Sequence, residues 1–167
     1  MMFSLKMSLA VLATSGALLA MPAGAQSFCD LVPASEVKAA LGITGNLVGK
    51  PTREGGNGCA YSTGEANVPN VVDANSSDYA GIIKTVADTR FASPSPDEER
   101  ISGLGEAAIY TSHTYSHRQS IFFRAKGKYV NLYVSAGGTN GVPKAAILSL
   151  AALIISKSIN TLKDPPS

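Results

Sequence analysis

Residues that carry chemistry are scarce in this sequence. Its 167 residues include two cysteines and two histidines, and charged residues make up 16%. The cysteines, Cys29 and Cys59, form no Cys-x-x-Cys pair and have no histidine nearby, so redox exchange and structural zinc lack their usual sequence form. No serine lies in a Gly-x-Ser-x-Gly elbow, and no Gly-Lys-Ser/Thr follows Gly103-Leu104-Gly105 or Gly137-Gly138. A nucleophile elbow and a phosphate loop are therefore both missing, and these glycines read as turns. Lys and Arg number 14 against 12 Asp and Glu, a formal net charge of +2 with no basic stripe. Neither nucleic acid nor an anionic membrane surface is favoured as a partner.

The N-terminus is the most informative segment. Lys6 supplies a positive start, Met7 to Met21 is apolar, and Ala23-Gly24-Ala25 presents small residues where a signal peptidase reads. This pattern predicts an export signal over residues 1–25, cut before Gln26. The alternatives are a retained anchor and a lipid-modified cysteine. The apolar run is roughly fifteen residues, against the roughly twenty that a spanning helix needs. Gln26-Ser27-Phe28 separates the small residues from Cys29, and bulky Phe28 fits a lipidation site badly. After cleavage about 142 residues remain, enough for one domain. The expectation is one domain over 26–163 with a flexible tail at 164–167, periplasmic or secreted. In that oxidising setting Cys29 and Cys59 are expected to form a disulfide; closing a loop of about thirty residues contributes about 3 to 4 kcal/mol in the chain-entropy account.

Pro33 suits a first helical position, good helix formers run to Leu41, and Gly42 offers a stop. Ile43 to Lys50 can extend, and Pro51 to Gly58 reads as a turn. Cys59 to Ser62 and Asn67 to Asn75 read as strands. Asn75 or Ser77 is expected to cap a second helix, with Tyr79, Ile82, Ile83 and Val86 on its buried face. Ser93 to Arg100, with Asp97-Glu98-Glu99, reads as a solvated loop. Strands are expected over Glu106–Ser112, Ser120–Ala125 and Tyr129–Ser135, the last alternating Tyr129, Asn131, Tyr133 and Ser135 with Val130, Leu132 and Val134. A final helix is expected from Pro143 to about Leu162; Lys144 and Lys157 bracket only about a dozen residues, so it reads as a core helix. The order α-β-β-β-α-β-β-β-α argues for an α+β fold with an antiparallel sheet packed by helices.

Several short motifs carry a family resemblance. Cys29-Asp30-Leu31-Val32-Pro33 running to Ala40-Leu41-Gly42, then Gly58-Cys59-Ala60-Tyr61, then Gly103-Leu104-Gly105-Glu106-Ala107-Ala108 resemble the successive sections of LpqN-like envelope lipoproteins and their relatives. The resemblance implies paired cysteines and a PsbP-like α/β/α sandwich, and it brings no catalytic residues. This chain departs from it in lacking a lipid-attachment cysteine.

His113 and His117 stand at i and i+4, the spacing that shares a metal on a helix, but this Ser/Thr-rich segment reads as a hairpin loop with no acidic partner. The candidate binding face is the polar side of the last strands: Tyr129, Asn131 and Tyr133, with Tyr110 or Tyr115 nearby. Tyr and Asn supply area and hydrogen bonds at modest entropy cost. The functional expectation is a non-catalytic envelope module binding an unknown protein, inhibitor-like or immunity-like in one version, without a cofactor. A carrier of a small apolar ligand between sheet and helices is the alternative, and a hydrolase a more distant one.

Overall fold

The computed structural model describes residues 27–52, 58–63, 72–77, 82–113, 118–135, 142–157 and 159. The expected leader, the tail, Tyr79, Tyr115 and His117 lie outside the described residues, as do the side chains of Ile82, Ile83 and His113.

The fold opens on one helical turn, α1 (Phe28–Leu31). Ser27 and Asp30 form a reciprocal cap: each side chain accepts the other's backbone N–H, at 3.2 and 3.3 Å. Helix α2 (Ala34–Leu41) starts after Pro33 and stops at Gly42, whose φ of 66° needs no Cβ to be tolerated. Three strands follow, β1 (Val48–Pro51), β2 (Gly58–Ser62) and β3 (Val72–Ser77). Next come α3 (Ile82–Ala92) and β4 (Glu98–Arg100). The chain closes with β5 (Ala107–His113), β6 (Arg118–Ala125), β7 (Lys128–Ser135) and α4 (Lys144–Ser156).

The strands form one seven-stranded sheet in the order β1-β2-β3-β7-β6-β5-β4. Every neighbouring pair is antiparallel. The β6–β7 hairpin pairs Ala125 with Lys128 across Lys126 and Gly127, both at positive φ, as a tight two-residue turn requires. Alternation along each strand sends side chains to two faces. Tyr61, Ile121, Phe123, Val130 and Leu132 pack with Phe28, Val37, Ile147, Leu150 and Ile154 in the main core. Ile109, Phe122 and Tyr129 point the other way and meet Ala87 and Phe91 of α3. Helices thus cover both sides of the sheet, an α+β architecture that among the described residues has a large core under α1, α2 and α4 and a small one under α3.

The disulfide joins Cys29 to Cys59, with Cα atoms 5.1 Å apart and thirty residues of separation. Beside it the Tyr61 hydroxyl donates to the Val32 carbonyl at 2.6 Å. Burial, then the nearby Glu36 charge, pushes the Tyr61 hydroxyl well above its ordinary range, so it remains a donor. Gly49 of β1 crosses this corner closely: a Cβ there would sit 3.1 Å from the Cys59 sulfur.

Four expectations need correction. Asn75 and Ser77 pair within β3 rather than capping a helix, because β7 offers their backbones a ladder through Asn131 and Tyr129. Val86 is 62% exposed; Ala87, one position on, turns toward the sheet instead. Glu98–Arg100 is an edge strand paired with β5, not a loop. Helix α4 ends at Ser156, where Lys157 leaves helical geometry at ψ 172°. No described helix is long and apolar enough to cross a membrane.

Candidate functional site

The polar stripe of β7 has two environments, and α3 creates the division. Tyr129 lies beneath that helix, 2% exposed, with its hydroxyl donating to Asp88 Oδ1 at 3.0 Å. Arg124 on β6 reaches the same oxygen at 2.6 Å and Glu106 at 2.9 Å. Hydrogen bonding with Tyr129 comes first, and the Asp88 and Glu106 charges add to it, in holding the Arg124 guanidinium protonated more firmly than usual. Phe91 stacks on Phe122 with ring centroids 4.9 Å apart and planes within 6°. The Arg90 guanidinium lies 5.6 Å from the Phe122 centroid. These contacts fasten α3 to the sheet.

Helix α3 is fastened to β4 as well. Arg90 Nε donates to Glu98 at 2.6 Å, and the Ser95 N–H donates to the other carboxylate oxygen at 2.9 Å. Burial acts to raise the Glu98 carboxyl, but the Arg90 and Ser95 hydrogen bonds and the Arg90 charge outweigh it. The group is held below its ordinary value of 4.5.

Farther along β7 the cover ends. Tyr133 is 42% exposed, one of the few large hydrophobic side chains at the surface among the described residues. Asn131 Nδ2 donates to the Tyr133 hydroxyl at 2.9 Å, which sets the tilt of the phenol. The Asn131 side-chain Oδ1 is shielded from solvent and has no hydrogen-bond partner among the described residues. Register places Ser120 and Asp73 on either side of Tyr133, and Ala60 beyond Asp73. Lys50 of β1 completes that row. Among the described residues of this row, Tyr133 is the exposed aromatic ring, and Ser120 beside it is buried.

Of the tyrosines considered with this stripe, Tyr110 faces the opposite way. It packs in the main core, its hydroxyl donates to Gln119 Oε1, and Gln119 Nε2 donates to the Val142 carbonyl at 2.7 Å. Its neighbour Ile109, not Tyr110, shares the face of Tyr133. His113 closes β5 opposite Arg118 in register. Among the described residues no group of three or more His, Cys, Asp or Glu side chains is placed to hold a metal ion. The Asp88–Arg124–Glu106 cluster was not anticipated from sequence; a lone Arg at an inward-facing strand position was its one visible sign.

Chemically, the open face offers an aromatic surface, a phenolic hydroxyl and an amide, groups suited to contact and hydrogen bonding. The Asp88–Arg124–Glu106 and Arg90–Glu98 clusters are ion pairs that join elements. Comparison with protein-family models, with curated proteins and with solved structures finds no match.

Proposed function

We propose that this chain is exported, loses residues 1–25, and acts outside the cytoplasm as a non-catalytic binding module of the envelope. Its contact surface is the part of the second sheet face that α3 leaves open, centred on Tyr133 and Asn131. The exposure of Tyr133, beside a buried and hydrogen-bonded Tyr129 on the same strand, is the observation that carries this reading. A ring that contributes to folding is expected under cover, as Tyr129 is; a ring left open and oriented by a neighbouring amide suits contact with a partner. The disulfide and the lack of a spanning helix among the described residues are compatible with an extracellular location.

The alternative of a carrier for a small apolar ligand draws less support. Such a ligand needs space between sheet and helices, yet Phe28, Ile121, Phe123, Leu132, Ile147 and Leu150 meet there fully buried. An inhibitor-like or immunity-like role remains one form of the binding reading. The test is capture from an envelope extract by the parent protein and by Tyr133→Ala, with melting temperatures measured for both. A partner held by the parent and lost by an equally stable variant is expected. Equal capture by both proteins would remove Tyr133 from the contact surface.

A further inference from the structure

We infer that the exported chain carries a blocked, uncharged N-terminus, because Gln26 closes to pyroglutamate once the leader has been removed. The inference rests on the cleavage proposed above and adds a modification that cleavage alone does not require. Ala23-Gly24-Ala25 places the cut directly before a glutamine, the residue whose carboxamide is spaced to close a five-membered ring on its own α-amine. Ser27 bonds Asp30 through both its backbone N–H and its hydroxyl, in solvent-exposed hydrogen bonds. Phe28 is fully buried and Cys29 is fixed by the disulfide. The cap that opens α1 is therefore open to solvent. The cap is built from Ser27 and Asp30, and the Gln26–Ser27 peptide survives cyclisation, so each of its hydrogen bonds is kept.

The chemistry is self-contained. An α-amine has a pKa of about 7.7 to 8.0, so a good fraction is unprotonated and nucleophilic near neutral pH. It attacks its own side-chain Cδ; the N–Cδ bond forms and the Cδ–Nε2 bond breaks. The departing nitrogen takes one amine proton and leaves as ammonia, and neither oxidant nor co-substrate is consumed. The product is a neutral lactam in place of an ammonium group, and it presents no free amine to an aminopeptidase.

The test uses the full chain, expressed with its leader in an exporting host, recovered from outside the cytoplasm and incubated at neutral pH. Intact mass and stepwise N-terminal sequencing are then read together. The expected mass is that of residues 26–167, disulfide-bonded, less one ammonia. Sequencing is expected to be blocked until a pyroglutamyl peptidase removes the ring, after which it starts at Ser27. Gln26→Ser should show neither the block nor the missing ammonia. A readable Gln-Ser-Phe start in the incubated parent overturns cyclisation and leaves the cleavage standing. A chain beginning at any other residue overturns both.

Discussion

Tyr129 and Tyr133 lie four residues apart on one face of one strand, yet they differ in what their removal should cost. Tyr129 is enclosed by Phe91, Phe122 and Asp88. Tyr129→Ala is expected to cost about 3 to 5 kcal/mol, the range for emptying a buried aromatic site. Tyr133→Ala is expected to stay within about 0.5 kcal/mol, as exposed positions usually do. Urea unfolding of the two variants checks both values, and similar losses would mean that Tyr133 is covered in solution. A second pair isolates backbone strain from steric clash. Gly103 and Gly105 both have positive φ, at 78° and 64°. A Cβ at Gly103 meets nothing within 4 Å, whereas at Gly105 it would lie 2.5 Å from the Arg124 carbonyl oxygen. Gly103→Ala should therefore cost about 1 kcal/mol, from the left-handed conformation alone. Gly105→Ala should cost distinctly more, because the same carbonyl also accepts the Glu106 N–H at 2.8 Å and cannot retreat freely. Equal melting temperatures for the two variants would contradict this account.

Among the elements, the junction of α3 with β4 gives a dependence on pH. The Glu98 carboxyl is depressed in the fold relative to its ordinary 4.5. A depressed carboxyl contributes stability that is fully present above the unfolded value and is lost as pH falls through the lower, folded value. The stability difference between the parent and Glu98→Gln should thus be constant near neutral pH and shrink below about pH 4.5. Denaturant titrations at stepped pH would show it; a gap that widens on acidification would reverse the assigned sign. This junction also marks a limit of sequence reading. Strands β5 to β7 are legible because Val130, Leu132 and Val134 alternate cleanly and Lys126-Gly127 marks the turn. Strand β4 is three charged and polar residues at a sheet edge, and its pairing with β5 leaves no periodic trace. On α3 the apolar side chain of Val86 suggests a buried position, yet small Ala87 is the residue that meets the sheet. The disulfide was legible from two cysteines together with the expectation of a leader. The division of the β7 stripe was not, since it depends on where α3 lies across the sheet, and no residue of β7 encodes that.

Taken as a whole, the molecule is unevenly secured, and this bears on what the disulfide contributes. Among the described residues, the main core draws on α1, α2, α4 and most of the sheet, while the α3 side rests on a handful of side chains. The disulfide lies wholly in the better-packed layer, and α1 has other ties there. Phe28 and Val32 are fully buried, and the Tyr61 hydroxyl holds the Val32 carbonyl. Cleaving the bond should therefore leave the native arrangement in place and act mainly by freeing the unfolded chain. For a span of thirty residues that is worth about 3 to 4 kcal/mol. The double variant Cys29→Ser, Cys59→Ser should keep its far-ultraviolet circular dichroism and lose about that much unfolding free energy, with a lower urea midpoint. The denaturant slope should rise, because an unlinked chain exposes more surface on unfolding. Loss of secondary structure in the variant before any urea is added would show instead that α1 and β2 depend on the bond to fold. Oxidation of the cysteine pair would then be a condition of the fold and not only a reinforcement of it.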